Sequence, residues 1–240
     1  MCFKLSLVIP YYNHPLFLKN QVNLWNSYSD YIKRNVEIII VDDGSEKSLD
    51  CLIIEGKMKV PKNLKVFRIL EDIYWNVKGA RNLGAKVSES DWLLFHDFDH
   101  WFLEEDLKNI IEYPKGNKII YQFKRFREGN EASLHKETIL INKNCFLNRI
   151  GGHDEDFVGI YGGGYSLFYE MAKRKGMSVR IMEGASVLTV DNNKFKDLMG
   201  SEKVKENRDR DKLKKLRQDK LSGKIPISNN IIRFNWERVI

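Results

Sequence analysis

Asp97 and Asp99 flank Phe98 directly after the apolar run 92–95. In a strand, residues two apart share one face, so the two carboxylates point together while Phe98 turns toward the core. Paired acids of this kind are hard oxygen ligands for Mg²⁺ or Mn²⁺, held directly or through water, and such an ion neutralises a diphosphate. The plain alternative is two solvent-facing turn carboxylates, because a bare Asp-x-Asp is common. Asp42 and Asp43 close a second apolar run. Either can accept hydrogen bonds from a ribose or a base, with Gly44 letting the chain turn close to a ligand. They also suit an Asp-Gly turn with Ser45 or Ser48 capping the next helix. Lys78 and Arg81 bracket Gly79 at the start of a further helix, where cations and free backbone N–H groups meet phosphate oxygens. Trp75, just before them, is placed either to stack on a base or to cover the core.

A dense acidic loop, His153 followed by Asp154, Glu155 and Asp156, precedes Gly162, Gly163 and Gly164. A general base would come from a group such as these three acids, and an acidic surface turn is the alternative. The glycines lack a following Lys-Ser or Lys-Thr pair and the first strand lacks the dinucleotide-binding glycine pattern, which disfavours an ATPase or a dinucleotide enzyme. The five histidines do not combine with Cys2, Cys51 and Cys145 into a zinc spacing, and no Gly-x-Ser-x-Gly elbow is present. His96 and His100 flank the Asp pair and either tune it or bond to a neighbouring loop. Asp191, after a late strand, is a weaker candidate for the metal or the acceptor.

The elements that must position these groups alternate. Strands are expected at 4–9, 36–41, 64–70 and 92–95, with helices over 18–28, 49–54 and 79–87 between them. Nearly continuous apolar runs ending in polar clusters mark buried parallel strands, and open α/β sheets bind ligands at the C-terminal ends of their strands. Farther on, the pattern gives a helix over 102–113, a strand over 118–124, a polar connection over 125–135 and a short strand at 138–141. A loop at 151–164, a helix at 166–175 and late strands at 178–181 and 186–190 follow. The expected division is residues 1–190 as one domain, with 102–190 completing the acceptor side of the cleft formed by 1–101, then a basic, mainly helical extension over 191–240 packed on it.

The chain has 240 residues, 42% hydrophobic and 30% charged, with five prolines and 16 glycines, a composition that excludes a mainly disordered or fibrous protein. No run approaches the roughly 20 apolar residues of a membrane span. Together with an odd number of scattered cysteines this leads to the expectation of a soluble cytoplasmic protein. The net charge is +7, and residues 194–224 hold twelve Lys or Arg against six Asp or Glu. That segment suits a terminal helix with a solvated charged face, or peripheral contact with an anionic membrane. The near-neutral remainder gives no reason to expect a nucleic-acid partner.

Four pieces taken in order, Val8-Ile9-Pro10-Tyr11-Tyr12-Asn13, Val41-Asp42-Asp43-Gly44-Ser45, Gly79-Ala80-Arg81-Asn82-Leu83-Gly84 and Asp97-Phe98-Asp99, resemble the family-2-like glycosyltransferases of the GT-A fold. Ile150-Gly151-Gly152-His153-Asp154-Glu155-Asp156-Phe157, followed by Gly159, resembles their acceptor region. The resemblance implies a GT-A-like, Rossmann-related α/β sheet flanked by helices. It implies a nucleotide-diphosphate sugar donor, commonly a UDP-sugar, bound with Mn²⁺ or Mg²⁺, and a hydroxyl-bearing glycan, lipid or protein acceptor. By analogy Pro10, Tyr12, Asp42, Asp43, Lys78, Arg81 and Asp97 line the donor, Asp99 with Asp97 holds the metal, and inversion is the expected outcome. The family commonly places a Glu-Asp pair, its Asp the base, where Gly163 and Gly164 stand here. Asp154, Glu155 and Asp156 are then the unassigned base candidates, and retaining transfer remains a second mechanism. An inactive nucleotide-sugar-binding protein and a sugar nucleotidyltransferase are the competing classes.

Overall fold

The computed structural model describes residues 3–161, 164–190 and 209–240. Strands β1 (Leu5–Tyr11), β2 (Val36–Asp42), β3 (Leu64–Ile69) and β4 (Trp92–Phe95) run parallel in the spatial order β3-β2-β1-β4. Alternation along them feeds two faces. Leu7 and Ile9 of β1 and Ile38 and Ile40 of β2 join Leu18, Val22 and Trp25 of α1 (Leu18–Ser27) in one core. Ile39 and Val41 point the other way, onto Ala80 and Leu83 of α4 (Val77–Val87). Strands covered on both faces bury nearly every residue, as β1 and β2 do. Gly84 belongs to this packing: a Cβ there would collide with Val8.

The short helix α2 (Asp30–Asn35), which the apolar spacing does not separate from α1, is started by Ser29, whose hydroxyl accepts from the Ile32 N–H. Helix α3 (Leu49–Glu55) connects β2 to β3. Beyond β4 come β5 (His100–Trp101), α5 (Glu104–Glu112), β6 (Ile119–Arg127), β7 (Asn130–Ala132) and β8 (Ile139–Asn142). β8 lies antiparallel to β4, β6 antiparallel to β8, and β9 (Ser178–Thr189) parallel to β6, with β5 closing the edge. The chain builds β2 and β3 on one side of β1 and β4 on the other, which puts the polar end of β4 beside a topological switch point.

Several expectations change. The stretch 125–135 is not only a connection: β6 continues to Arg127 and turns into β7 through Glu128 and Gly129, both at positive φ. The two late strands are one, its pairing with β6 broken by an irregularity between Gln122 and Lys124. Cys145–Ile150 is a π-helix, ended by Gly151 at φ 97°. After α6 (Gly164–Arg174) and α7 (Arg210–Leu221), the chain continues without regular secondary structure to residue 235. It adds β10 (Trp236–Arg238) antiparallel to β3, so the described C-terminal segment contributes a short sheet edge as well as a helix. Leu213 and Lys220 of α7 are buried. Among the described residues, no helix is long and apolar enough to cross a membrane. Asp191, Gly162, Gly163 and the first part of the basic segment lie outside the described residues.

Candidate active site

The C-terminal ends of β2 and β4 lie on either side of β1. Tyr11 accepts from the Asp43 N–H at 2.8 Å, Asn13 N–H donates to Ser45 Oγ at 2.9 Å, and the Glu46 N–H donates to Asn13 Oδ1 at 3.0 Å. The loops after β1 and β2 are thereby fixed to each other. Gly44 makes this possible, since it has φ 74° and a Cβ there would lie 2.5 Å from the Glu71 carbonyl oxygen.

The two neighbouring aspartates separate in role. Asp42 accepts from the Ser45 N–H at 3.0 Å and the Leu49 N–H at 2.9 Å, so its carboxylate holds the turn and starts α3. The cap on α3 is thus supplied by Asp42 rather than by Ser45 or Ser48, and both carboxylate oxygens of Asp42 are engaged with the backbone. Asp43 is buried and accepts from Asn76, whose Nδ2 lies 3.0 Å away and whose backbone N–H also donates. Burial, with the like charges of Asp42 and Asp72, pushes its carboxyl up to about 8 against the Asn76 bonds. Tyr12 stands 46% exposed beside this pocket, whereas Pro10 lies inside β1, paired in register with Val41. Trp75, at φ 49°, packs edge-on against Tyr161 with centroids 4.5 Å apart.

Helix α4 is buried along most of its length, its charged residues included: Arg81 is 1% and Lys78 2% exposed. Arg81 joins two acids, with Nη2 2.5 Å from Asp97 Oδ1 and Nη1 2.9 Å from Glu137 Oε1. Burial opposes the charge on Asp97, yet His135, Arg81 and His100 together hold its carboxyl below the usual range. Glu137 behaves likewise: burial opposes its charge, and Arg81 first, then Lys78, outweighs burial and the nearby Asp97. Burial lowers Lys78.

Asp99 Oδ1 lies 2.7 Å from His100 Nδ1, and the His100 ring stacks on His135 at 4.7 Å. Ligand atoms of Asp97, Asp99 and His100 lie within 4.8 Å of one another. His100 Nε2 is buried without a hydrogen-bond partner. Two carboxylates and an imidazole form a set that suits Mn²⁺ and accommodates Mg²⁺ less readily. The residues present thus fit a divalent ion. His96 turns away instead: its ring packs edge-on against Phe102, and burial brings it down to about 4.

The acidic loop faces elsewhere. Asp154 and Asp156 lie 2.8 and 2.6 Å from the buried Lys220 ammonium, and Arg233 Nη1 is 2.6 Å from Asp156. Glu155 accepts from Asn82 Nδ2 at 2.8 Å and from the backbone N–H groups of Ile232 and Arg233. All three carboxylates are spent on the C-terminal segment and α4, and none is brought into the Asp97–Asp99 cluster. Phe234 packs over Gly79, and Trp236 over Phe67, so the two aromatic residues of the C-terminus serve packing.

Sequence reasoning missed Glu137, His135, Asn76 and Asn82. His135 Nε2 is 3.4 Å from Asp97 Oδ2. Asn82 bonds the His153 carbonyl and N–H, fixing the loop at 151–155 against α4. The signal for Asn82 was present in the Gly-Ala-Arg-Asn run. Glu137 and His135 stand in a polar stretch with no motif of their own.

A model of glycosyl transferase family 2 matches residues 6–174, more than half of the chain. An uncharacterized glycosyltransferase of Haemophilus influenzae is 28% identical over 158 residues, 62% of this chain and 50% of that protein. The minor teichoic acid biosynthesis protein GgaA of Bacillus subtilis is 31% identical over 110 residues, 45% of this chain and 24% of that protein. The poly(ribitol-phosphate) beta-N-acetylglucosaminyltransferase TarS of Staphylococcus aureus is 29% identical over 139 residues, 56% of this chain and 24% of that protein. The aligned segments thus span half or less of the length of these curated relatives. The crystal structure of TarS residues 1–349 superposes with a TM-score of 0.63 at 17% identity, covering 82% of this chain and 63% of that one. Its complex with UDP-GlcNAc gives 0.61 at 18% identity, covering 79% and 59%.

Proposed function

Because the chain belongs to glycosyl transferase family 2, we propose that it moves a sugar from a UDP-sugar to a hydroxyl of an acceptor, with inversion, using Mn²⁺ or Mg²⁺ at Asp97, Asp99 and His100. The observation that carries this reading is the placing of two chemically different side-chain clusters on either side of β1: Asp43 with Asn76 after β2, and Asp97, Asp99 and His100 with Arg81 after β4. The first suits a nucleoside. A carboxyl that keeps its proton at neutral pH both donates and accepts, which matches the mixed donor and acceptor edge of a uracil ring. The second suits a diphosphate: when bound, the ion stabilises the negative charge that develops on the leaving group. Arg81, held by acids on both sides, is kept in one orientation without needing to reorganise, and Lys78 adds a second buried cation.

UDP-GlcNAc is the donor to test first, since a structurally similar enzyme is known in complex with it. For the acceptor, Arg125 and Arg127 share one face of β6, and Arg125 feels the charges of Asp99 and Asp97, so cations border the acceptor side. With relatives named for teichoic acid and poly(ribitol phosphate), a phosphate-bearing polyol is the acceptor class this arrangement favours. Peripheral membrane contact through residues 194–224 belongs to the same proposal, and liposome sedimentation without binding rejects it.

Calorimetric titration with UDP, with and without Mn²⁺, tests the donor site. Metal-dependent binding in the micromolar range, about −8 kcal/mol, is expected, followed by UDP release from UDP-GlcNAc. UDP binding that ignores Mn²⁺ rejects the metal site, and the absence of UDP binding rejects the donor.

A further inference from the structure

We propose that Glu137 is the general base that takes the proton of the acceptor hydroxyl, an inference that rests on the sugar-transfer reading above. Transfer to a hydroxyl requires a proton acceptor near the reacting carbon. The acids of the 154–156 loop are held by Lys220, Arg233, Asn82 and backbone N–H groups of the C-terminal segment. At the start of α6, Gly164 offers no side chain, and the end of the Lys78 side chain fills the space that a Cβ there would need. Among the described residues, the carboxylates paired with Arg81 are Asp97 and Glu137. Asp97 belongs to the cluster that fits the ion.

Glu137 approaches from the other side. It precedes β8, the strand next to β4 in the acceptor half, and meets the opposite amino group of the same guanidinium. One planar group therefore spaces a metal-site carboxylate from a second carboxylate, so that Glu137 would stand off an ion held at Asp97 and Asp99 while remaining beside Arg81. Its side chain keeps 23% exposure, enough for a substrate to reach it. The groups facing it are Arg81 and Lys78 from α4, Asp97 after β4, His135 of its own segment, His153 from the glycine loop and Tyr169 from α6. In the step, an acceptor oxygen lone pair forms the bond to the anomeric carbon from the face opposite the diphosphate. The carbon–oxygen bond to the diphosphate breaks, its electron pair leaves with UDP, and the acceptor proton passes to a Glu137 oxygen and then to water.

The test compares wild type with Glu137→Gln and Glu137→Ala, using UDP-GlcNAc, Mn²⁺ and poly(ribitol phosphate), with other UDP-sugars substituted until the wild type turns over. Glu137→Gln is expected to lower kcat about 10²–10⁴-fold while the donor KM and the Kd for UDP stay within about threefold. Formate is expected to restore part of the activity of Glu137→Ala, and the acidic limb of the kcat profile to disappear in both variants. A merely structural partner of Arg81 would move UDP binding and would not respond to formate. Should Glu137→Gln fail to fold, Glu137→Asp keeps the charge beside Arg81, and a fall in kcat at unchanged UDP affinity is expected. A Glu137→Gln enzyme within about tenfold of wild-type kcat overturns the assignment alone. A wild type that binds UDP with Mn²⁺ yet turns over no UDP-sugar overturns the transfer reading and the assignment with it.

Discussion

The chain carries the pattern Asp-x-Asp three times, at 97–99, 154–156 and 209–211, and the fold uses the first two in opposite ways. Asp97 and Asp99 end a parallel strand at the switch point of the sheet, beside Arg81, His100 and His135. Asp154 and Asp156 bracket a 3₁₀ turn, which Asp154 starts by accepting from the Asp156 N–H at 3.0 Å, and both close on the buried Lys220. The first pair keeps its ligand atoms within reach of one another and of the His100 imidazole. The second has its charge neutralised by side chains more than sixty positions later in the chain. The first pair shares its cations with a cluster of possible metal ligands at the strand ends, whereas the second spends both of its acids on a clamp to the C-terminal segment.

That contrast is most exposed at Asp99. Asp99→Asn should lower turnover about 10²–10³-fold, remove the effect of Mn²⁺ on UDP binding and leave the melting temperature close to wild type. Asp154→Asn with turnover abolished at full stability would reverse the assignment. The clamp gives the complementary result: Lys220→Met leaves Asp154 without its cation and Asp156 with Arg233 alone, and should lower stability by about 1–3 kcal/mol in urea unfolding, with kcat per folded molecule unchanged. At the boundary between the regions, a Gly164→Ala methyl group meets the Lys78 side chain. The expected cost is about 1–3 kcal/mol, shared between stability and UDP affinity. In a Lys78→Ala background the same change should cost little, a non-additivity that double-mutant analysis measures.

The smallest effect concerns Asp43. Burial raises its folded carboxyl to about 8, so the native state holds the proton more tightly than the unfolded chain. Stability is therefore lost as pH rises from about 4, the unfolded value, through about 8, and below about 4 the group contributes nothing. Asp43→Asn should accordingly raise the melting temperature at pH 8.5 and leave it unchanged near pH 3.5, while weakening UDP binding. A melting temperature that falls at pH 8.5 would place Asp43 among the compensated acids, with Asp42.

Much of this arrangement was legible in residue order. The runs before Asp42 and Asp97 are apolar enough to bury on both faces, and polar residues at their ends mark the binding edge whatever the rest of the chain does. Arg81 and Lys78 were readable because a helix start after a strand is where anions bind. Glu137 and His135 were not, because they come from a polar stretch whose only local signal is solubility. They matter because β8 returns antiparallel beside β4. The hairpin at 128–132 and the return of the C-terminus as β10 were hidden for the same reason, since pairing partners far apart in sequence leave no local periodicity.

The sequence by itself determined the parallel sheet, the cleft at its strand ends and the family, because hydrophobic periodicity and short motifs are local properties of the chain. Tertiary structure alone decided which acids are free to act. It gave Asp42 to a helix cap, tied Asp154, Glu155 and Asp156 to the C-terminal segment, and set Glu137 opposite Arg81. The reason is electrostatic: the chemistry of a buried carboxylate is fixed by the charges and donors within a few ångströms of it, and those come from whichever parts of the chain the fold brings there.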